Sequence, residues 1–304
     1  MTTIQHSEPA IAKVNDIEIV FDTFGDPSNS PILLIMGIGA QMIDWKDGFC
    51  ERLASRGYWV IRYDNRDVGL STKFDDSGTP NMMQMLVASI QGETLEAPYT
   101  MKDMADDAVG LLDWLEIEEA HVVGVSMGGM IAQMMAIHHP ARLATLISIM
   151  SSTGETDLPL PTPEALAILT NPRPTDREGY IESSVDGWRF LSGPKFPPDE
   201  NIVREHAGLK FDRGIHPAGV ARQMAAILAS GGRRESLKSV TIPTLVIHGD
   251  ADPLVPVEGG VDTADAIPGA KLIIIEGMGH YLPMVLWPQL IDAIVLHTST
   301  IEIL

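Results

Sequence analysis

Three features of the sequence predict an α/β fold, with a mostly parallel central sheet flanked by helices and interrupted once by an inserted cap. Short apolar runs that suit buried strands alternate with segments of helical apolar spacing through the first half of the chain. This alternation breaks after about residue 152 and resumes near Pro243. The chain has 304 residues, 45% of them hydrophobic, which suffices for one large domain with an insertion.

Taken in order, "IEIVFDTFG" (Ile17 to Gly25) predicts a strand that ends at a Gly-Asp-Pro turn. "PILLIMG" (Pro31 to Gly37) is a continuous apolar run, as expected of a strand covered on both faces. A helix over "WKDGFCERLASRG" stops at Gly57, and "YWVIRYD" (Tyr58 to Asp64) is the next strand. Between Thr100 and Ile117, the spacing of Ala105, Ala108, Val109, Leu112 and Leu115 predicts a helix with Asp106, Asp107 and Asp113 facing outward. Strand "HVVGV", helix "MGGMIAQMMAIHH" and strand "LATLISIM" follow, a rhythm that implies parallel strands joined by right-handed crossovers.

Residues 153–238 are predicted to form the cap, and 1–152 with 239–304 the core domain. The segment opens with a proline-rich stretch and contains "GVARQMAAILASGG", in which Val220, Met224, Ile227 and Leu228 share one helical face. The core then resumes with strand "TLVIHGD", a helix near Glu258 to Ala266, strand "KLIIIEG" and a last helix from about Pro283.

Composition narrows the function classes. The 21 Lys and Arg against 41 Asp and Glu give a net charge of −20, a field that repels nucleic acid and anionic membrane surfaces. Cys50 is the only cysteine, so neither an intrachain disulfide nor a cysteine metal cluster is available. The N-terminus lacks the pattern of a secretory signal, and the apolar runs are too short to span a bilayer; a soluble, cytoplasmic protein is expected.

One stretch carries chemistry. In "AHVVGVSMGGM" a strand runs into Gly124-Val125-Ser126-Met127-Gly128 and then a helix, the G-x-S-x-G arrangement of a nucleophile elbow. A sharp strand-to-helix turn needs small residues on either side of the serine, and it lifts the hydroxyl to the carboxyl end of the sheet, where open parallel sheets bind ligands. The amide of Met127, at the helix N-terminus, points to the same place. The alternative is a glycine-rich turn of purely structural role. An elbow serine also needs an acid and then a histidine downstream. "LVIHGDADPLVP" places Asp250 and Asp252 after one strand, and "LIIIEGMGHYLP" places His280 after the next. Asp252, further into the turn, is preferred as the acid; Asp250 suits shaping the turn, and Asp157 and Asp67 are weaker candidates. His138 and His139 end a helix, His248 reads as core and His121 precedes a strand, so the histidines suggest no metal set. Gly37, Ile38 and Gly39 are the candidates for a second oxyanion donor. The methionines of "NMMQMLVAS" and Met127 and Met130 lie near the predicted site, where thioethers suit an apolar pocket or ordinary core. Trp188 fits a cap core or a pocket wall.

The motifs "MGIG", "RYDNRDVGLS", "GVSMGG", "HGDADPLVP" and "GMGH", in this order, resemble those of the α/β-hydrolase superfamily, and more narrowly the chain resembles the aclacinomycin methylesterase type of serine esterase, including "GWRFLSG" in the insertion. The resemblance implies Ser126 as nucleophile, His280 as base and Asp252 as acid, with oxyanion amides from Ile38 and Met127. Many relatives carry His-Gly where this chain has Met36-Gly37. The function so implied is serine-dependent hydrolysis of small or medium apolar esters through an acyl-enzyme, with a small-molecule ester as partner and neither metal nor organic cofactor. A perhydrolase or cofactor-free haloperoxidase with the same triad, carbon–carbon bond hydrolysis, and a weakly hydrolytic ligand-binding protein are the competing readings.

Overall fold

The computed structural model describes residues 4–299. Among them, eight strands form one sheet: β1 (Ala10–Val14), β2 (Ile17–Phe24), β3 (Ser30–Ile35), β4 (Tyr58–Tyr63), β5 (Ala120–Val125), β6 (Leu143–Ile149), β7 (Thr244–Gly249) and β8 (Lys271–Ile275). Their spatial order is β1-β2-β4-β3-β5-β6-β7-β8. β1 pairs antiparallel with β2 and β2 with β4, and every later pairing is parallel. The fold is the α/β hydrolase fold, as expected from the sequence.

Helices cover both faces: α1 (Asp47–Ala54), α2 (Met82–Ile90), α3 (Met101–Trp114) and α4 (Met127–His138) before β6, then α10 (Val257–Ala266) and α11 (Trp287–Ser299) after β7. Between β6 and β7 lie α5 (Pro163–Thr170), α6 (Arg177–Leu191), α7 (Glu200–Arg213), α8 (Pro217–Ser230) and the short α9 (Arg234–Leu237). β5 is buried at all six positions because α3 and α4 cover one side and α11 and its neighbours the other, which explains why it lacks polar alternation. The reciprocal Thr100 and Asp103 cap starts α3 where the sequence turns helical.

One expectation needs correction. Asp107 does not face outward: it is buried, and its carboxylate holds Arg66 Nε at 2.6 Å. It lies on the buried stripe of α3 between Met104 and Leu111, and the guanidinium is what allows it there. Burial pushes its carboxyl upward against the pull of Arg66. On α8, Val220, Met224, Ile227 and Leu228 are half-buried, and the fully buried face is a different one. It carries Ala221, Arg222, Gln223, Ala225 and Ala226. Arg222 enters the interior because Asp67 meets it with two oxygens, at 2.8 and 2.7 Å.

Candidate active site

Ser126 sits between β5 and α4 with φ 57° and ψ −121°, a conformation that costs energy for a residue with a Cβ. The local sequence permits it. A Cβ at Gly124 would lie 2.1 Å from the Gly128 carbonyl oxygen, and one at Gly128 would lie 2.1 Å from that of Ile35. Strand and helix therefore pack at a distance only glycine allows, and the Ser126 amide is anchored on the Ile149 carbonyl at 2.9 Å.

His280 and Asp252 arrive from loops after β8 and β7. His280 Nδ1 is 2.7 Å from Asp252 Oδ2, which leaves Nε2 as the ring nitrogen free to face the cavity. The second carboxylate oxygen accepts the amides of Leu254 and Val255, each at 2.8 Å, fixing the plane of the acid. His280 and Ser126 line the same cavity, and all three side chains are nearly withdrawn from solvent. Among the described residues no hydrogen bond joins the Ser126 hydroxyl to His280, although both line the one cavity.

The remaining acids are engaged elsewhere. Asp250 accepts the Gly277 amide at 2.6 Å. Asp157 forms an exposed ion pair with Arg234, and Asp67 is occupied by Arg222 and Tyr99. Burial pushes the Cys50 thiol up to about 12, so it is no rival nucleophile. No group of three or more His, Cys, Asp or Glu among the described residues is arranged to hold a metal ion. No helix among them is long and apolar enough to cross a membrane.

Beside Ser126 the chain leaves β3 in a turn closed by the Ala40 amide on the Gly37 carbonyl at 3.2 Å. Of its candidate donors, the Gly39 amide is taken by Gln223 Oε1 at 2.8 Å. The amides of Ile38 and Met127 have no hydrogen-bond acceptor among the described residues. The carbonyl of Met36, where the sequence departs from His-Gly, accepts from Asn65 Nδ2 at 3.1 Å.

The cavity encloses about 420 Å³. Its apolar walls include Leu169 and Trp188 from the inserted helices and Leu254 and Trp287 from the core; Asp44, His206 and Lys210 form a polar end. Trp188 is both wall and packing residue, since its ring also lies 5.4 Å from that of Tyr281. Met82, Met36 and Met150 line the cavity, whereas Met127 and Met130 belong to the core beneath α4. Sequence reasoning passed over two side chains. His248, read only as core, donates Nε2–H to the Val255 carbonyl at 2.8 Å and so braces the turn that holds Asp252. Burial lowers its affinity for a proton, which keeps that donor in its neutral tautomer. Gln223 gave no sequence signal, because nothing local announces that a glutamine of α8 reaches a turn 184 residues away.

Residues 30–285 match the α/β hydrolase fold family. The chain is 32% identical to rhodomycin D methylesterase DauP of Streptomyces sp. (strain C5), over 93% of this chain and 96% of that protein. It is equally similar to rhodomycin D methylesterase DnrP of Streptomyces peucetius, 32% identical with the same two coverages. An esterase from Exiguobacterium antarcticum superposes with a TM-score of 0.75 at 19% identity, covering 96% of this chain and 100% of that one. The elbow, the sheet order and these similarities agree, and the chain belongs to the α/β hydrolase fold family.

Proposed function

We propose that this protein is a carboxylic ester hydrolase in which Ser126 is the nucleophile, His280 the general base and Asp252 the residue that orients it. One observation carries the reading: a buried serine on a strained elbow shares a cavity with a histidine whose far nitrogen is held by a carboxylate. In this reading His280 Nε2 takes the Ser126 proton as the oxygen attacks the ester carbonyl. Asp252 stabilises the imidazolium and fixes its tautomer. The amides of Ile38 and Met127 receive the oxyanion, each contributing roughly 3 kcal/mol at the transition state. The imidazolium returns its proton to the departing alkoxide; water then attacks the acyl-enzyme by the same route in reverse. Residues 153–238 serve as the cap over a core of 1–152 and 239–304. The similarity to methylesterases and the largely apolar cavity support small or medium apolar esters as substrates.

The test is Ser126→Ala assayed against a panel of p-nitrophenyl, methyl and lactone esters, with folding followed by circular dichroism. Turnover should fall by about 10⁴-fold or more with the fold intact. A folded variant that keeps more than about a tenth of wild-type turnover overturns the assignment.

A further inference from the structure

The geometry points to Gln223, on α8 of the inserted segment, as the positioning residue that sets the oxyanion turn, so that the cap takes part in transition-state stabilisation as well as covering the pocket. The inference rests on the proposed ester hydrolase reading. Gln223 is fully buried and uses both ends of its amide. Its Oε1 accepts the Gly39 N–H at 2.8 Å, and its Nε2 donates to the Arg66 carbonyl at 2.8 Å. One side chain thus joins the turn after β3 to the turn after β4.

The turn itself explains why such a clamp matters. Gly37 to Ala40 form a tight reversal in which Gly39 adopts φ +63°. Glycine at this position is free to occupy several other conformations, so the turn is poorly fixed by its own sequence. The peptide joining Gly37 to Ile38 carries the proposed oxyanion N–H, one residue before the amide that Gln223 holds. Because the turn is anchored at both ends, by β3 and by the Ala40–Gly37 hydrogen bond, a reorientation of the Ile38–Gly39 peptide is compensated in the neighbouring Gly37–Ile38 peptide and so shifts that donor. α8 restrains it twice: Gln223 holds the Gly39 amide, and Val220, one helical turn away, packs so closely that a Cβ on Gly39 would lie 2.9 Å from its Cγ2. α8 is itself locked to the core by the Arg222–Asp67 pair, so the clamp has a rigid support.

An oxyanion donor displaced by a fraction of an ångström stabilises the transition state less while leaving ground-state binding intact. The experiment compares Gln223→Met, which keeps volume but removes both hydrogen bonds, Gln223→Ser, which leaves room for a water, and Gln223→Glu, which keeps the acceptor. For each, kcat and KM are measured on p-nitrophenyl butyrate, with the inhibition constant of a trifluoromethyl ketone that forms a tetrahedral adduct, and that of its non-electrophilic alcohol counterpart. Q223M and Q223S should lose about 10- to 100-fold in kcat with KM within about threefold. The trifluoromethyl ketone should weaken by the same factor and the alcohol should not. Q223E should recover most of kcat. The proposal is overturned if either deletion variant, folded, keeps kcat and ketone affinity within about threefold of wild type. It is also overturned if ketone and alcohol weaken equally, or if Q223E falls as far as Q223M. Failure of the ester hydrolase reading shows differently, as persistence of turnover in Ser126→Ala.

Discussion

His280 Nδ1 stands 2.7 Å from Asp252 Oδ2, whereas Asp250, two residues earlier in the same turn, spends its carboxylate on the Gly277 amide. In the proposed mechanism the two acids therefore separate by role. Asp252→Asn should lower kcat/KM by about 10³- to 10⁴-fold, because an amide cannot hold the imidazole in the required tautomer and stabilise its cation. Asp250→Asn should cost less than about tenfold, through loosening of the loop that carries His280. Steady-state kinetics of both variants on one ester check the ranking, and its reversal would move the acid to Asp250.

Much of this arrangement was legible in the sequence because it is local. Gly124, Ser126 and Gly128 announce a strand-to-helix elbow within five residues, and the order of Asp252 and His280 after two strands follows from parallel topology. What the sequence concealed depends on distant partners. Asp107 reads as an outward acid in the sequence because its partner, Arg66, is 41 residues away, and the buried face of α8 is hidden because Arg222 and Gln223 read as polar. Both cases break the rule that polar residues face water, and in both a hydrogen-bonded partner from another turn of the chain explains the breach. β1 is hidden for a different reason: an edge strand with two exposed residues at its start has too weak an apolar pattern to stand out.

The polar end of the cavity gives a stability prediction. Lys210 Nζ and His206 Nε2 lie 2.7 and 2.9 Å from the two oxygens of Asp44. Burial alone would push the Asp44 carboxyl up, but Lys210 and then His206 outweigh it and hold the group well below the usual carboxylate range. Lys210→Met leaves that charge half-compensated and should destabilise the fold by about 3 kcal/mol. The double variant Asp44→Asn/Lys210→Met should recover part of the loss. Urea unfolding of the three proteins measures it; a single variant as stable as wild type would show that the pair contributes nothing.

Stability should also depend on pH through His121. This residue is buried in β5 against Thr145, and burial, with a smaller effect of His297, pushes it down from 6.5 to about 4. Between those values the unfolded chain binds the proton and the folded chain does not. Stability is therefore greatest above the upper value and is lost as pH falls through the window, by up to about 3 kcal/mol from this group. Urea midpoints measured across that range should fall less steeply for His121→Gln than for wild type. Equal slopes would assign the acid sensitivity to other groups.

The most direct measurement of the central claim is covalent labelling with a p-nitrophenyl alkylphosphonate, followed by intact mass and peptide mapping. The proposed mechanism predicts one adduct per chain, on Ser126, formed in step with complete loss of esterase activity and at a rate that collapses in the Asp252→Asn variant. An adduct on any other residue, or full activity in a protein quantitatively labelled at Ser126, would contradict it.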